Sequence, residues 1–266
     1  NSSGWAGAGT FTYGTSTLVM AKSGTQFMYG VNLFDVNNLT INSGSTTKIE
    51  TINDSGGELQ IHGTLTATGT LTSGTTAANS KIAMQTGGTT IAVGSAANSL
   101  SGLFSVELEH SSGTTTLPTC TLKRLMCKTS GLTALANGDL TLTEELEVNS
   151  GTTFNANGNT IAALLVDVNS SGTLDLRNSN LNFSVSASGD QLRFDDDNST
   201  LLTGNTTITG HSSASKTKAL LNPDGGYEVV GNVKFLKIDT NSDLTVVGAV
   251  IDCDVDTETG ANIRQF

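Results

Sequence analysis

One stretch of the sequence decides the fold: Leu59-Gln60-Ile61-His62-Gly63-Thr64-Leu65-Thr66-Ala67-Thr68-Gly69-Thr70-Leu71. Every odd-numbered position in it is apolar or glycine, and every even-numbered position is polar. Because successive side chains of a strand point to opposite faces, this alternation predicts a β-strand with one buried face and one solvated face. Shorter copies recur along the chain, for example at Leu140/Leu142, Val166/Val168, Leu174/Leu176 and Leu192/Phe194. No window shows helical spacing over a convincing length, so we expect almost no helix.

A recurring tripeptide marks the ends of these strands. Asn42-Ser43-Gly44 and Asn149-Ser150-Gly151 each follow a short apolar strand, and Asn169-Ser170-Ser171-Gly172 is a longer version. Asparagine and glycine tolerate positive φ, and an asparagine side chain can bond its own backbone. The tripeptide therefore predicts a corner between strands. Because this tripeptide, rather than a two-residue Asn-Gly signal, follows these strands, we do not expect tight hairpins at these positions.

The strands and corners recur at a coarse interval. Strand starts near Leu140, Leu164, Leu192, Leu220 and Leu244 are separated by 24 to 28 residues. This interval matches one turn of stacked coils, so we predict an all-β, right-handed parallel β-helix. We expect a single solenoid domain over residues 1–266, with about ten turns at about 4.8 Å each. A β-sandwich is the alternative, because short strands with frequent turns fit that fold as well.

The composition agrees with a solenoid and excludes several other classes. Thr, Ser, Asn and Gly make up 123 of the 266 residues, and only 14% are charged. Threonine suits the outward rows of stacked strands, because it is β-branched and its hydroxyl can bond along the row. The net charge of -11 argues against a nucleic-acid partner. No apolar run reaches the length of a membrane-spanning helix, so we expect no membrane insertion.

Threonine arrays also suggest ice binding, but the sequence argues against it. Thr64, Thr66, Thr68 and Thr70 would share one outward face of a strand. A flat ice-binding surface needs threonine pairs at one fixed place in every turn, whereas here their place shifts along the sequence. We therefore do not predict an ice-binding surface.

Aromatic residues are concentrated near the beginning of the chain. Trp5, Phe11 and Tyr13 are among six aromatics in the first 34 residues, out of 13 in all. An open end of a solenoid exposes unpaired backbone groups and needs a cap. Residues 1–35 are accordingly predicted to form an N-terminal cap or a docking segment, with Trp5, Phe11 and Tyr13 as candidate interface residues.

Two acidic groups are candidate sites for chemistry. Asp252, Asp254 and Asp256 alternate on the outward face of a predicted strand, and they suggest a weak Ca²⁺ site. A solvated acidic edge is the simpler interpretation, so the expected cofactor is none, with Ca²⁺ as the alternative. Asp195-Asp196-Asp197-Asn198 follows the strand that ends at Phe194 and is most simply a charged corner, while the functional alternative is half of the carboxylate pair of a glycan-cleaving enzyme. No nucleophile elbow, P-loop or zinc motif is present, and we expect no enzymatic activity.

The three cysteines, Cys120, Cys127 and Cys253, match neither a zinc site nor a redox motif. Strand alternation places Cys253 on the apolar face with Ile251 and Val255, which predicts a small buried hydrophobic residue. A bridge between Cys120 and Cys127 is the alternative to free thiols at these two positions. His62 is expected on the polar surface of its strand. Lys123, Arg124 and Lys128 form a basic spot that is too small for nucleic acid.

The beginning of the chain resembles a known module. The likeness is carried by three stretches: Gly7-Ala8-Gly9-Thr10-Phe11-Thr12-Tyr13-Gly14-Thr15-Ser16-Thr17-Leu18-Val19-Met20, Ser23-Gly24-Thr25-Gln26 and Asn38-Leu39-Thr40-Ile41-Asn42-Ser43-Gly44. They are similar to Thr/Gly/Asn-rich β-solenoid modules of marine phage structural and tail-fibre proteins and of repetitive bacterial surface proteins. The sequence departs from that pattern at Met20, where an aromatic is common. The likeness covers about 45 residues firmly, and it carries no catalytic residues.

The resemblance implies a structural role outside the cell. We expect a virion tail-fibre or spike component used in host attachment. The alternatives are a subunit of an extracellular bacterial filament or adhesin and, further off, a polysaccharide-degrading β-helix enzyme. The expected location is extracellular, on a virion or a cell surface. The expected partners are other copies of the chain, as a homo-oligomer or an end-to-end polymer, with a cell-surface glycan as a further candidate.

Overall fold

The computed structural model describes most of the chain, and every regular element in the described part is a β-strand. The described residues are 4–6, 14–30, 33–51, 58–73, 81–87, 91–93, 105–183, 190–194, 199–202, 206–209, 218–221, 228–230, 235–238, 243–246, 254–257 and 262–265. They form thirty strands and no helix. The expected near-absence of helix is confirmed for these residues, and none of them belongs to a helix that could cross a membrane.

Three of the four sheets are small. The first four-stranded sheet contains β1 (Gly4–Ala6), β3 (Gly24–Gly30), β6 (Ser45–Thr51) and β9 (Thr70–Ser73). The second contains β2 (Thr17–Met20), β5 (Asn38–Ile41), β8 (Leu65–Ala67) and β11 (Ile91–Val93). The six-stranded sheet contains β13 (Gly113–Leu117), β15 (Leu132–Ala136), β17 (Thr153–Asn155), β20 (Thr173–Asp175), β23 (Thr200–Leu202) and β26 (Glu228–Val230).

The fourth sheet has sixteen strands and divides into two branches. Its first part is β4 (Leu33–Val36), β7 (Glu58–Ile61), β10 (Lys81–Met84), β12 (Ser105–Leu108), β14 (Cys120–Cys127) and β16 (Leu140–Val148). One branch is β18 (Thr160–Ala163), β21 (Asn180–Phe183), β24 (Thr207–Thr209), β27 (Phe235–Ile238) and β29 (Asp254–Thr257). The other is β19 (Leu165–Val168), β22 (Asp190–Phe194), β25 (Lys218–Leu221), β28 (Asp243–Val246) and β30 (Asn262–Gln265).

The branching has a local cause in β14 and β16. These two strands are long enough to run through a corner, and their register shifts between Leu122 and Arg124, where β16 holds one extra residue. Such a bulge bends the strands. In the next coil the same path is broken into two strands, and β16 pairs with both β18 and β19. One continuous sheet therefore covers two sides of the solenoid.

The strand pairing confirms a parallel β-solenoid. All strand pairs in the described residues are parallel, as between β14 and β16 or β17 and β20, which excludes the antiparallel β-sandwich. Counted along the six-stranded sheet, the solenoid has about six turns, fewer than the ten expected, whereas the longest path in the sixteen-stranded sheet passes through eleven strands. Right-handed coiling remains a prediction, based on the handedness of parallel crossovers.

The core is a set of columns in which each coil places an apolar side chain above that of the coil below. One column runs through the sixteen-stranded sheet and consists of Val36, Ile61, Met84, Leu108, Cys127, Val148 and Val168, all 1% exposed or less. Because the column keeps its position in every coil, the alternation seen in the sequence is converted into one continuous hydrophobic core.

The structure has corners at the predicted Asn-Ser-Gly tripeptides, but the longer version differs from the expectation in one detail. Gly44 and Gly151 have positive φ, as expected. In Asn169-Ser170-Ser171-Gly172, however, the left-handed residue is Ser171, with φ of 60°. Gly172 serves another purpose, because a Cβ there would lie 2.6 Å from the carbonyl oxygen of Val148. The glycine is thus required by the close approach of two coils rather than by its own backbone angles.

Coil length varies more than the sequence predicts. Asn169 stacks on Asn149, 20 residues earlier, and their side-chain amides are 2.7 Å apart. In the following coil Arg193 reaches Asp167 across 26 residues. The central coils are therefore shorter than the expected 24 to 28 residues, and the extra residues of longer coils fall between the strands.

This variation hides a row of threonines that the sequence does not reveal. We name it the threonine row: Thr114, Thr133, Thr153, Thr173 and Thr200, which are consecutive register partners on the outward side of the six-stranded sheet. A single threonine therefore keeps its place in these five coils. The adjacent outward row is mixed and contains Leu135, Asn155 and Asp175, so no surface of paired threonines forms there.

Candidate functional site

The three predicted aspartates of a calcium site cannot be assembled from the described residues. Asp252 lies outside them. Asp254 and Asp256 belong to β29, where their backbones pair with Phe235 and Lys237 of β27. No group of three or more His, Cys, Asp or Glu side chains suited to a metal ion occurs among the described residues. The calcium site remains a prediction.

The predicted interface aromatics are only partly located. Trp5 is in β1, and its backbone pairs with that of Met28 in β3. Phe11 and Tyr13 lie outside the described residues, as do Asp195, Asp197 and Cys253. Residues 1–35 contribute β1 to β3 and the first three residues of β4 to the stacked sheets. Their role as a cap or docking segment stays a prediction.

The described part of the solenoid carries its charge mainly on the outward side of the sixteen-stranded sheet. We name one network there the charge ladder: Glu58, Lys81, Glu107, Lys128 and Glu109. Lys81 Nζ lies 2.9 Å from Glu58 Oε2 and 3.1 Å from Glu107 Oε2. Lys128 Nζ lies 2.9 Å from Glu107 Oε2 and 3.1 Å from Glu109 Oε1. The ladder connects four successive coils by ion pairs of alternating sign.

The charge ladder shifts the pKa of Glu107 and of Lys81. Burial opposes ionisation of Glu107, whose side chain is 10% exposed, but hydrogen bonds from Lys128 and Lys81 outweigh it and lower its pKa. Burial alone would lower the pKa of Lys81, whereas its hydrogen bonds to Glu58 and Glu107 raise it above the ordinary value. The ion pairs therefore favour the charged forms of Glu107 and Lys81 over their neutral forms.

A second group of charges surrounds β16. Arg124 Nε donates to Glu144 Oε2 at 2.7 Å, and Lys123 Nζ lies 3.5 Å from Glu144 Oε1. In the neighbouring coil the guanidinium of Arg193 donates to both carboxylate oxygens of Asp167. The predicted basic spot at Lys123, Arg124 and Lys128 is thus paired with glutamates.

The surroundings of Glu145 favour its protonated form. Burial raises its pKa, Arg124 opposes the shift, and the nearby carboxylates of Glu147 and Asp167 add to it. Glu147 and Asp167 are register partners of β16 and β19. The sequence did not single out these three residues, because their contact depends on the register between coils.

A shallow open pocket lies at one corner of the solenoid, directly after strands β17 and β20 of the six-stranded sheet. We name it the corner pocket; its volume is about 380 Å³, and it is lined by Asn155, Asn157, Gly158, Asp175, Arg177 and Asn178. Asn155 and Asp175 are register partners at the ends of β17 and β20. Asn157 and Asn178 both have positive φ, which asparagine tolerates better than most residues.

The charged centre of the corner pocket is the pair Asp175 and Arg177. Asp175 is 4% exposed, and its Oδ1 and Oδ2 accept hydrogen bonds from Arg177 Nε at 2.9 Å and Nη2 at 2.6 Å. The side chain of Arg177 is 58% exposed, and its hydrogen bond with Asp175 raises its pKa. A buried carboxylate therefore fixes the orientation of an accessible guanidinium.

The described cysteines are buried in the core, and the described histidines contact neighbouring polar groups. Cys120 and Cys127 are free and buried, so the alternative of a bridge between them is wrong. Burial raises the pKa of each thiol to about 12. His62 is half-buried, with Nε2 3.3 Å from Asp35 Oδ1. His110 is buried, with Nδ1 2.9 Å from the Ser112 carbonyl oxygen and Nε2 2.8 Å from Thr115 Oγ1.

Comparison with known proteins adds no relative. No protein-family model matches the chain. No curated protein and no solved structure shows significant similarity to it either. The likeness to phage and bacterial surface modules therefore stays a prediction from the sequence.

Proposed function

We propose that the chain is a non-enzymatic structural protein, a stiff extracellular segment of a phage tail fibre or spike that serves in host attachment. The observation that carries this proposal is the unbroken stacking of coils, with one apolar column and one charge ladder crossing several coils in succession. A stack of parallel strands joined by backbone hydrogen bonds resists bending and local opening. These are the properties that an exposed attachment fibre requires.

The chemistry of the outer surface also supports this proposal. Charged side chains of the charge ladder are engaged with partners of opposite sign, and the threonine row presents small hydroxyl groups. In the strands that carry these side chains, cleavage would require local unfolding of the stacked coils. The alternative, a subunit of an extracellular bacterial filament or adhesin, is favoured by the same stacking, since coils can also add end to end.

The two proposals differ in where the protein is found. Antibodies against the chain should detect it in density-banded phage particles from the source culture, in the same fractions as capsids. Detection on cell surfaces without capsids would replace the virion assignment with the filament. Detection only in the soluble fraction of cell lysate would overturn both. The purified chain should also resist protease and SDS, and its far-ultraviolet circular dichroism should lack helical minima.

A further inference from the structure

We propose that the corner pocket binds a neutral saccharide, in contacts centred on Asp175 and Arg177; this rests on the proposed role in attachment and names the partner of that role. The pocket volume of about 380 Å³ is at the lower end of the range for small-molecule sites. A terminal sugar of a surface glycan is a ligand of this size class. The pocket is open to solvent, as recognition of a large polymer by one end requires.

The pocket is built on a rigid frame. Asn155 Oδ1 accepts a hydrogen bond from the backbone N–H of Asn157 at 2.7 Å, and Asp175 Oδ1 accepts one from the N–H of Arg177 at 3.1 Å. Two consecutive coils thus repeat the same turn at the same place. Asn157 Nδ2 is also bound to the Ala136 carbonyl oxygen of the preceding coil, at 3.1 Å. Polar groups held this way lose little conformational freedom when a ligand binds.

The polar groups of the pocket match the hydroxyl groups of a sugar. Each hydroxyl both donates and accepts a hydrogen bond. The pocket offers donors from the exposed Arg177 guanidinium, which Asp175 orients, and from the asparagine amides, and it offers acceptors from the asparagine amide oxygens. Adjacent hydroxyls of a sugar ring can therefore bind a donor and an acceptor side by side.

Charge favours a neutral sugar over an acidic one. Asp175 lies in direct contact with Arg177 and cancels its charge within the pocket. The whole chain carries a net charge of -11, which repels polyanionic glycans at long range. A sugar without a carboxylate, sulfate or phosphate is not repelled by the acidic chain, and it does not need the positive charge of Arg177 that Asp175 cancels.

The threonine row extends the hydrogen-bonding surface beyond the pocket. Thr153 and Thr173 precede Asn155 and Asp175 by two residues, so their side chains lie on the same outward face of their strands. The row continues to Thr133 and Thr200 in the flanking coils. A longer saccharide that enters the pocket can lie against hydroxyl groups spaced by about 4.8 Å.

The proposal is tested with saccharide probes and the purified full chain. An array of neutral and acidic oligosaccharides is screened first, and the dissociation constant of the best neutral probe is measured by ligand-observed NMR. The double variant Asp175→Asn, Arg177→Gln keeps the pocket uncharged but removes its ionic hydrogen bonds, so binding should weaken at least about tenfold. Asn178→Gly keeps a positive φ accessible and should weaken binding less.

Controls separate loss of the site from loss of the fold. Asn42→Gly changes an exposed corner residue outside the pocket and should leave the dissociation constant unchanged. Circular dichroism and thermal melting identify any variant that fails to fold. If the double variant fails to fold, the dissociation constant of Asn178→Gly alone tests the proposal. A lower dissociation constant for acidic probes than for neutral ones would overturn the proposal. Pocket variants that bind the neutral probe as tightly as the natural chain would also overturn it. Absence of sugar binding would overturn it too, while co-banding with capsids would still support the structural role.

Discussion

Lys128 Nζ lies 2.9 Å from Glu107 Oε2, and this contact joins two coils through side chains that are 21 residues apart in the sequence. Glu107 also accepts a hydrogen bond from Lys81 on the opposite side, at 3.1 Å. A single nearly buried carboxylate is therefore held between two ammonium groups from different coils. The stacking of coils, which would make like charges repel, here places opposite charges next to each other.

Replacement of this central carboxylate should destabilise the chain. We expect Glu107→Gln to lower the free energy of unfolding by about 1–3 kcal/mol, because the substitution removes the negative charge that faces two lysines in a largely buried position. Urea unfolding at pH 7 measures the change. The matched variant Glu109→Gln affects a more exposed member of the ladder and should cost less than about 1 kcal/mol. Equal effects of the two substitutions would contradict the central role of Glu107.

The pH dependence of the same variant gives an independent measurement. The pKa of Glu107 is lower in the folded chain than its ordinary value of 4.5. Its contribution to stability is therefore present above pH 4.5 and is lost as the pH falls through the folded pKa. The stability difference between the natural chain and Glu107→Gln should accordingly shrink in urea titrations below pH 4. A difference that stays constant at low pH would contradict this linkage.

Thr47 is a buried residue at which a substitution should increase stability. Its side chain is fully buried, and its hydroxyl oxygen has no hydrogen-bond partner. Thr47→Val has nearly the same shape and removes the unpaired hydroxyl, so we expect a gain of about 1 kcal/mol. Thermal melting and urea unfolding measure it. Thr46→Val, on the outward and less buried neighbour, should change stability by less than about 0.5 kcal/mol. A loss of stability in Thr47→Val would show that the hydroxyl is bonded.

The buried thiols should make the chain sensitive to alkali. The pKa of Cys120 and of Cys127 is about 12 in the folded chain against an ordinary value of 9.0. Stability from these protonated thiols is complete below pH 9 and is lost as the pH rises from 9 towards 12, by at most about 1.4 kcal/mol per pH unit for each thiol. Urea unfolding between pH 8 and 11 measures the slope, which should be shallower in Cys127→Ala.

Chemical labelling tests the same burial at neutral pH. In a Cys253→Ser background, iodoacetamide at pH 8 should leave Cys120 and Cys127 unmodified until denaturant is added, because thiolates are the reactive species. Mass spectrometry counts the modified residues. Rapid labelling of the native chain would mean that this part of the core opens readily.

Two neighbouring corner residues, Ser171 and Gly172, are small for different reasons: Ser171 has a positive φ, whereas Gly172 lies against the backbone of the neighbouring coil. We expect Gly172→Ala to destabilise the chain by more than about 2 kcal/mol, because the added methyl would press against the backbone carbonyl oxygen of Val148. Ser171→Gly, one residue earlier, should be nearly neutral, since the positive φ there is already adopted by a serine. Urea unfolding of both variants provides the comparison. A mild effect of Gly172→Ala would mean that the two coils can separate at this corner.

Much of the fold could be predicted because its rules are local. The alternation of Leu59 to Leu71 is a property of one strand, and the Asn-Ser-Gly tripeptide is a property of one corner, so both can be recognised without a partner. Their repetition implies parallel stacking. The prediction did not reveal that β14 and β16 run through a corner, because the bulge near Leu122 depends on the pairing of two coils.

The candidate sites could be predicted less well, since they depend on register between coils of unequal length. The partner of Lys81 is Glu107, 26 residues away, while the partner of Lys128 is 21 residues away. No constant period links these residues. The corner pocket was missed for the same reason: Asn155 and Asp175 are unremarkable in the sequence and become neighbours only when β17 and β20 are paired.

The contact between Asn149 and Asn169 has a consequence for how such a chain can change in length. Twenty residues bring the backbone back to the same corner, so removal of residues 149–168 would place Asn169 directly after Val148, in the position that Asn149 holds. Removal of an odd number of residues within a strand would instead turn its core side chains towards solvent. The length of the solenoid can therefore change only in steps of one coil. Duplication or deletion of whole coils is the route by which evolution can lengthen or shorten this protein.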